Sequence, residues 1–331
     1  MTASNSIPKA YKQYHYTSYG APEQVWELVD VETKPLQPTQ VRIKVAFTSI
    51  NPIDYKLSEY GASWFPRTPS EEAPFVIGFD VAGTIAEVGT DVTDFAVGDA
   101  VYAMTPIEAF GGAAEYVSID AKYVAPKPKN IDFKSAAGVP ATCTTSYQAL
   151  ITIARVTSGE RVLVLGGSTS CGMFGIQLAK AVGAHVTATT STRNFELVKS
   201  LGADQVIDYT KKKWFDVLDE HSVDVILDCG FDSQTWNNEA QKILRKDAGR
   251  FVTLTQRVLQ NPVESPIGAT LLDVFCVASS ADLREITTLI EKGQMKVVVD
   301  SVYPLEKLVE AANKSKAGRL SGKVIVAVAD E

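Results

Sequence analysis

The residues best placed to do chemistry lie in Arg161–Thr192, RVLVLGGSTSCGMFGIQLAKAVGAHVTATTST. An apolar run, Val162–Leu165, leads into a turn of tiny residues, Gly166–Ser170. An apolar-periodic helix is predicted from about Cys171 to Val182; Gly183 stops it, and a β-branched strand, His185–Thr190, follows. Strand, Gly-rich turn, helix and strand in this order bind a dinucleotide. Small residues let the backbone approach the pyrophosphate, and the helix start supplies N–H groups and a positive dipole end. Against the pattern G-x-G-x-x-G, the segment Gly167–Gly172 carries Thr169 where the middle Gly belongs. An NAD site keeps an Asp or Glu near the end of the second strand to accept from the ribose hydroxyls. Here that end reads Thr189-Thr190-Ser191-Thr192-Arg193, with no acid. Hydroxyls and a guanidinium suit a 2′-phosphate instead, so the expected cofactor is NADPH.

These groups sit in a chain of 331 residues, long enough for two domains with a core each. Hydrophobic residues make up 45% and charged residues 21%, the balance of a globular protein. The net charge is −7 and the one run of like charge is Lys211–Lys213, so nucleic acid is not an expected partner. Four cysteines, Cys143, Cys171, Cys229 and Cys276, share no short spacing and form neither a zinc ribbon nor a disulfide framework. No apolar run reaches the ~20 residues of a transmembrane helix. The first residues show no apolar or Arg-rich leader pattern, and a cytoplasmic location is the expectation.

From Tyr11 to about Tyr123 the pattern is β-rich, with short runs at Gln40–Phe47, Asp80–Val88, Ala100–Ala103 and Ala114–Ile119. Pro126, Pro128 and Asn130 then punctuate the chain. Beyond about Asp132 helix and strand alternate. One helix is predicted over Ser135–Thr157, and strands at Val162–Leu165, Val186–Thr190, Gln205–Asp208, Val223–Asp228, Arg250–Leu254 and Thr270–Ala278. Six strands in this alternation make a doubly wound parallel sheet. The pieces after Ala278 are too many for one sheet and are expected to return to the first domain. The boundaries are thus 1–131 with 279–331, and 132–278.

This order, with six strings in sequence, resembles the medium-chain dehydrogenase/reductase superfamily along the whole chain. The strings are SINPIDYK (Ser49–Lys56), GFDVAGTIAEVG (Gly78–Gly89), VGDAVYA (Val97–Ala103), GGAAEYV (Gly111–Val117), SLGADQVIDY (Ser200–Tyr209) and SGKVIV (Ser321–Val326). Within the superfamily the chain is similar to the zinc-free quinone oxidoreductase branch, of ζ-crystallin-like and plant enone or quinone reductase-like proteins. The resemblance implies an α/β protein: a Rossmann-type six-stranded domain plus a β-rich GroES-like catalytic domain. The zinc branch places a Cys within the segment here reading Thr48–Asp54 and a Gly-His-Glu where this chain has Gly78-Phe79-Asp80. With Asn51 and Phe79 among those residues, and His15, His185 and His221 far apart, no metal ligand set is expected.

Without a metal, the resemblance implies hydride transfer from NADPH to a quinone or an α,β-unsaturated carbonyl. The protein then orients the two reactants and donates a hydrogen bond to the developing enolate oxygen. Lys56 is the first candidate donor, since in similar enone reductases a Lys here lies by the substrate carbonyl. Asn51 is the second, and Tyr55 or Tyr60 adds a phenol. Each has a plainer role open to it: a turn for Asn51 before Pro52, a solvated helix position for Lys56, core for Tyr55. Asp54 and Asp80 are expected to satisfy buried groups.

The resemblance also implies a cofactor set. Asn51 belongs to the cofactor set, and Thr145 packs at the nicotinamide. Gly167, Ser168, Ser170, Cys171 and Gly172 meet the pyrophosphate, the last three through backbone N–H groups. Thr190, Ser191, Arg193 and Tyr209 hold the adenosine phosphate, and Thr255 lies near a ribose. Phe275 and Cys276 present the sixth strand to the carboxamide, and Lys323 returns to the cofactor cleft. Trp64, Phe65 and Phe110 are candidates to line an apolar pocket. The sixth strand is an apolar edge, so a homodimer or a dimer of dimers is expected. Two other functions stay open: a 2-enoyl-thioester reductase, and a non-enzymatic NADPH-binding adaptor or crystallin-like protein.

Overall fold

The computed structural model describes residues 7–63, 67–107, 109, 111–230, 234–254 and 261–329. The chain divides into two compact units. One comprises Met1–Ala141, Val277–Thr288 and Val297–Glu331; the other comprises Thr142–Cys276 and Leu289–Lys296.

The first unit is built on the long strand Gln40–Ile50. Its seven-stranded sheet runs Val299–Pro304, Lys323–Ala327, Gln40–Ile50, Asp80–Val88, Ala100–Met104 and Val124–Pro126, with Tyr116–Asp120 also paired to Gln40–Ile50. A second sheet joins Glu27–Glu32, Ala10–Tyr16 and Phe75–Val76. Alternation of apolar and polar residues turns Val41, Ile43, Val45, Val81, Ile85 and Val101 into one core. Lys323–Ala327 pairs antiparallel to Gln40–Ile50 with Val324 opposite Ile50. That register sets Lys323 beside Asn51, where helix Pro52–Tyr60 begins.

The second unit is a six-stranded, all-parallel sheet. Its order is Gln205–Asp208, His185–Thr190, Arg161–Leu165, Val225–Asp228, Arg250–Thr253 and Thr270–Asp273. Continuous apolar strands such as Val162–Leu165 are what a sheet covered on both faces requires. Leu163, Ile226, Phe251 and Trp236 form the core beneath it.

Two predicted elements differ. The helix expected over Ser135–Thr157 is three pieces: Phe133–Ala137, Pro140–Tyr147 and a π-helical stretch Gln148–Ile153. Gly138 caps the first piece, and Pro140 lacks the N–H that would carry the ladder across the break. The sixth strand, expected over Thr270–Ala278, ends at Asp273. Its neighbour Arg250–Thr253 ends in register with it, and Val274 N donates to Thr253 O (3.0 Å) immediately beyond the ladder. Phe275 and Cys276 therefore follow the strand rather than lie on it, and Phe275 is 66% exposed.

Candidate functional site

In the dinucleotide-type unit, the turn after Arg161–Leu165 is tied to the end of the next strand. Gly167 N donates to Thr189 O (2.7 Å) and Gly166 N to Thr189 Oγ1 (3.0 Å). Gly166 adopts φ +77°, a conformation open to glycine. A Cβ on Gly172 would stand 2.2 Å from Gly166 O, so the helix start approaches the turn as closely as only glycine allows. Thr169, the departure from the Gly pattern, is the N-cap of helix Ser170–Ala181. Its hydroxyl donates to Gly166 O (2.8 Å) and accepts from Gly172 N (3.0 Å). This corrects one expectation: Gly172's N–H is spent on the cap and is not offered to a pyrophosphate. Ser168, Ser170 and Cys171 remain half-buried at the mouth of the turn.

The strand end carries the residues expected at the adenosine side of the cofactor. Thr190 is fully buried, and its hydroxyl has no hydrogen-bond partner among the described residues. Ser191 begins the short turn Thr192–Asn194. Arg193 and Tyr209 are exposed, Tyr209 by 56%. Tyr209 N donates to Thr190 O (3.0 Å), which brings the two loops together. An orphaned buried hydroxyl, a turn closed to any Cβ and the exposed Arg193 fit a dinucleotide. Thr145 is half-buried on helix Pro140–Tyr147, and Ser146 on that helix donates to Cys171 O (2.8 Å). Thr255, Trp64, Phe65 and Phe110 lie outside the described residues.

In the first unit the expected donors meet a buried polar cluster. Asp80 is wholly buried. Its Oδ1 accepts from Ala141 N (2.6 Å), and its Oδ2 accepts from the Ser49 hydroxyl and from Asn51 Nδ2 (2.7 Å). The Lys323 ammonium, 2% exposed, lies 3.3 Å from Asp80 Oδ2 and donates to Asn51 Oδ1 (2.6 Å) and Ile50 O (3.4 Å). A buried ammonium and a buried carboxylate thus compensate each other, as low dielectric demands. Asn51 and Asp54 also form a capping box on helix Pro52–Tyr60. Asp54 is buried; its Oδ2 accepts from Asn51 N (2.7 Å), and its Oδ1 has no partner among the described residues. Burial first, and the Asp80 charge after it, push the Asp54 carboxyl up to about 7, against the opposing pull of the Asn51 amide.

Three expectations change here. Lys323, expected in the cofactor cleft, is buried and paired with Asp80. Asn51 is 3% exposed, with its amide oxygen bound by Lys323 and its amide nitrogen by Asp80. Tyr55 packs in the core cluster with Leu305, Leu308 and Ala312 and is 8% exposed. Lys56, on the same helix, is half-buried, and Tyr60 is 58% exposed. Asp80 and Lys323 are the pair that sequence reasoning did not join. Nothing short of the sheet register links positions this far apart.

At the positions where the zinc branch keeps ligands, Phe79 is core and Asp80 is committed to Lys323. Among the described residues no three His, Cys, Asp or Glu side chains are grouped to hold a metal. No helix of the described residues is long and apolar enough to cross a membrane.

Comparison with known proteins gives concordant matches. Residues 37–129 match the alcohol dehydrogenase GroES-like domain, and residues 201–326 match the zinc-binding dehydrogenase family. The chain is 36% identical to the 2-methylene-furan-3-one reductase of Solanum lycopersicum, over 98% of this chain and 81% of that protein. It is also 36% identical to the chloroplastic NADPH-dependent alkenal/one oxidoreductase of Arabidopsis thaliana, over 98% and 82%. The solved structure of the quinone oxidoreductase from Coxiella burnetii superposes with a TM-score of 0.84 at 27% identity, covering 97% of this chain and all (100%) of that one.

Proposed function

Because the chain belongs to the medium-chain dehydrogenase/reductase superfamily, we propose that it is an NADPH-dependent, zinc-free oxidoreductase that passes a hydride to quinones or α,β-unsaturated carbonyls. The observation that carries the reading is the edge beside the glycine turn. There the second strand ends in hydroxyls, with Arg193 and Tyr209 exposed next to it. Similarity to proteins named as enone, alkenal and quinone reductases supports the choice of acceptor.

A bound nicotinamide supplies the hydride. The turn Gly166–Ser170 and helix Ser170–Ala181 bind the pyrophosphate, and Ser191, Arg193 and Tyr209 bind the 2′-phosphate. Lys56 stabilises the oxygen that gains charge when the hydride adds, and helix Pro52–Tyr60, anchored through Asn51 to Asp80, holds it in place. Zinc-independence belongs to the proposal, because Asp80 already has its counter-charge in Lys323. So does a homodimer formed along the edge strand Thr270–Asp273, next to the exposed Phe275. A cytoplasmic location completes it, to be checked by cell fractionation.

The test is NADPH oxidation with three acceptors: 9,10-phenanthrenequinone, a simple enone and a trans-2-enoyl-CoA. Turnover with the first two and little with the third is expected. Preference for the thioester would assign an enoyl-thioester reductase, and inertness with all three a non-enzymatic binder. Light scattering at micromolar concentration decides the dimer.

A further inference from the structure

The end of strand His185–Thr190 lacks an acid, but the end of its neighbour does not. Asp208 closes strand Gln205–Asp208 and is the direct partner of Thr190 in the parallel ladder. Neighbouring strands lie about 4.8 Å apart. A carboxylate therefore stands one strand away from where an NAD site keeps its ribose-binding acid. An unmasked carboxylate there would accept from the ribose diol and repel a 2′-phosphate.

Asp208 is not offered in that way. Its Oδ2 accepts from the Thr192 hydroxyl, and its Oδ1 accepts from Thr210 N (3.0 Å) and the Thr210 hydroxyl (2.6 Å). The Lys211 ammonium stands 3.4 Å from Oδ2. Two oxygens offer about four acceptor sites, and these four donors occupy them. The side chain is 10% exposed while that of Lys211 is 66% exposed. The hydroxyl of Thr192 above all, then that of Thr210, holds the carboxyl well below its usual range, so it stays charged and hydrogen-bonded. The amides of Lys211 and Lys212 both donate to Asp208 O (3.0 Å each), which fixes the loop after the strand. The same bonds tie the loop carrying Ser191 and Arg193 to the loop carrying Tyr209 and Lys211.

We propose that Asp208 is a masked specificity acid: Thr192 and Thr210 turn it away from the adenosine ribose, and the loops they join present Arg193 and Lys211 together to the 2′-phosphate. Lys211 thereby leaves the plain tri-lysine face that its sequence suggests and becomes a phosphate-binding residue. Thr192 and Thr210 are positioning residues that act through Asp208. The inference rests on the reading of the site as an NADPH site.

The experiment measures dissociation constants for NADPH and NADH, by quenching of protein fluorescence, in four proteins: wild type, Thr192→Val/Thr210→Val, the same pair with Asp208→Asn, and Lys211→Ala. The ratio of the two constants is the readout, since a merely structural defect weakens both cofactors alike. The valine pair is expected to lower the NADPH preference at least tenfold, partly by tighter NADH binding. Adding Asp208→Asn should restore part of the preference, because no carboxylate is then released, while the loops remain untied. Lys211→Ala should weaken NADPH severalfold and leave NADH unchanged. A wild-type preference that survives the valine pair, a parallel loss of both cofactors, or no recovery on adding Asp208→Asn overturns the masking. Equal affinities in the wild type would instead sink the NADPH reading beneath it, and the masking with it.

Discussion

Replacing Lys323 by Met tests the buried cluster of the first unit most sharply. Asp80 and Lys323 are 0% and 2% exposed, so solvent does not screen the loss of either partner. Removing one member of a buried ion pair costs about 3–5 kcal/mol, because the other is left uncompensated. The contacts place the two single variants at different ends of that range. In Lys323→Met, Asp80 keeps three donors: Ala141 N, the Ser49 hydroxyl and Asn51 Nδ2. About 3 kcal/mol is expected. In Asp80→Ala, the ammonium's remaining hydrogen bonds among the described residues go to the neutral oxygens Asn51 Oδ1 and Ile50 O, the Asp54 carboxyl acts on it without a direct bond, and three donors lose their acceptor. About 5 kcal/mol is expected. The double variant Asp80→Ala/Lys323→Met removes both charges and should cost less than the two single losses together. At roughly 2–4 °C per kcal/mol for a unit of this size, Lys323→Met should lower the midpoint of thermal unfolding by about 6–12 °C. Scanning calorimetry near pH 7.5 reads all three variants. Unfolding of Lys323→Met within a degree or two of wild type would refute the argument, as would Asp80→Ala proving the milder change.

Three further outcomes follow from other residues. The folded state raises the Asp54 carboxyl from 3.8 to about 7, so it favours the protonated form. That contribution, on the order of 4 kcal/mol, is full below about pH 4 and is lost as pH rises through 7; Asp54→Asn should flatten this slope and stabilise the protein at pH 8, as urea titrations at several pH values would reveal. Lys56→Ala should lower enone turnover by ~10²-fold with less effect on quinones, whose hydride adduct is a more stable anion; steady-state rates unchanged on both acceptors would remove Lys56 from the site. Gly172→Ala drives a Cβ against Gly166 O and should cost roughly 1–3 kcal/mol and weaken NADPH binding; an unaltered dissociation constant would show that the turn yields.

The nucleotide-type unit was the more legible of the two because its signals are local. Runs such as Val162–Leu165 and Gln205–Asp208 carry their own boundaries in glycine and polar residues, and each became a strand of the expected parallel sheet. The sixth strand is shorter than its apolar run Val274–Ala278 suggests, because apolarity alone does not mark where ladder pairing stops. The helix over Ser135–Thr157 was read through a Gly138–Pro140 signal that should have broken it. Thr169 showed its role only through hydroxyl geometry, although Thr before a helix is an N-cap signal in its own right. Asn51, Asp80 and Lys323 were each picked out alone. What joined them was the pairing of Val324 with Ile50, a contact between the two ends of the chain that no local pattern encodes.

The central claim is hydride transfer from NADPH to a conjugated acceptor, and isotopic labelling tests it directly. The protein is incubated with NADPH carrying deuterium in place of both C4 hydrogens of the nicotinamide and a simple enone in ordinary water, and the ketone is examined by mass spectrometry and NMR. Transfer of one deuterium to the β-carbon, with a proton from water at the α-carbon and one NADPH consumed per ketone formed, is the predicted result. Oxidation of NADPH without deuterium in the ketone, or no reduction of either an enone or a quinone, would contradict it.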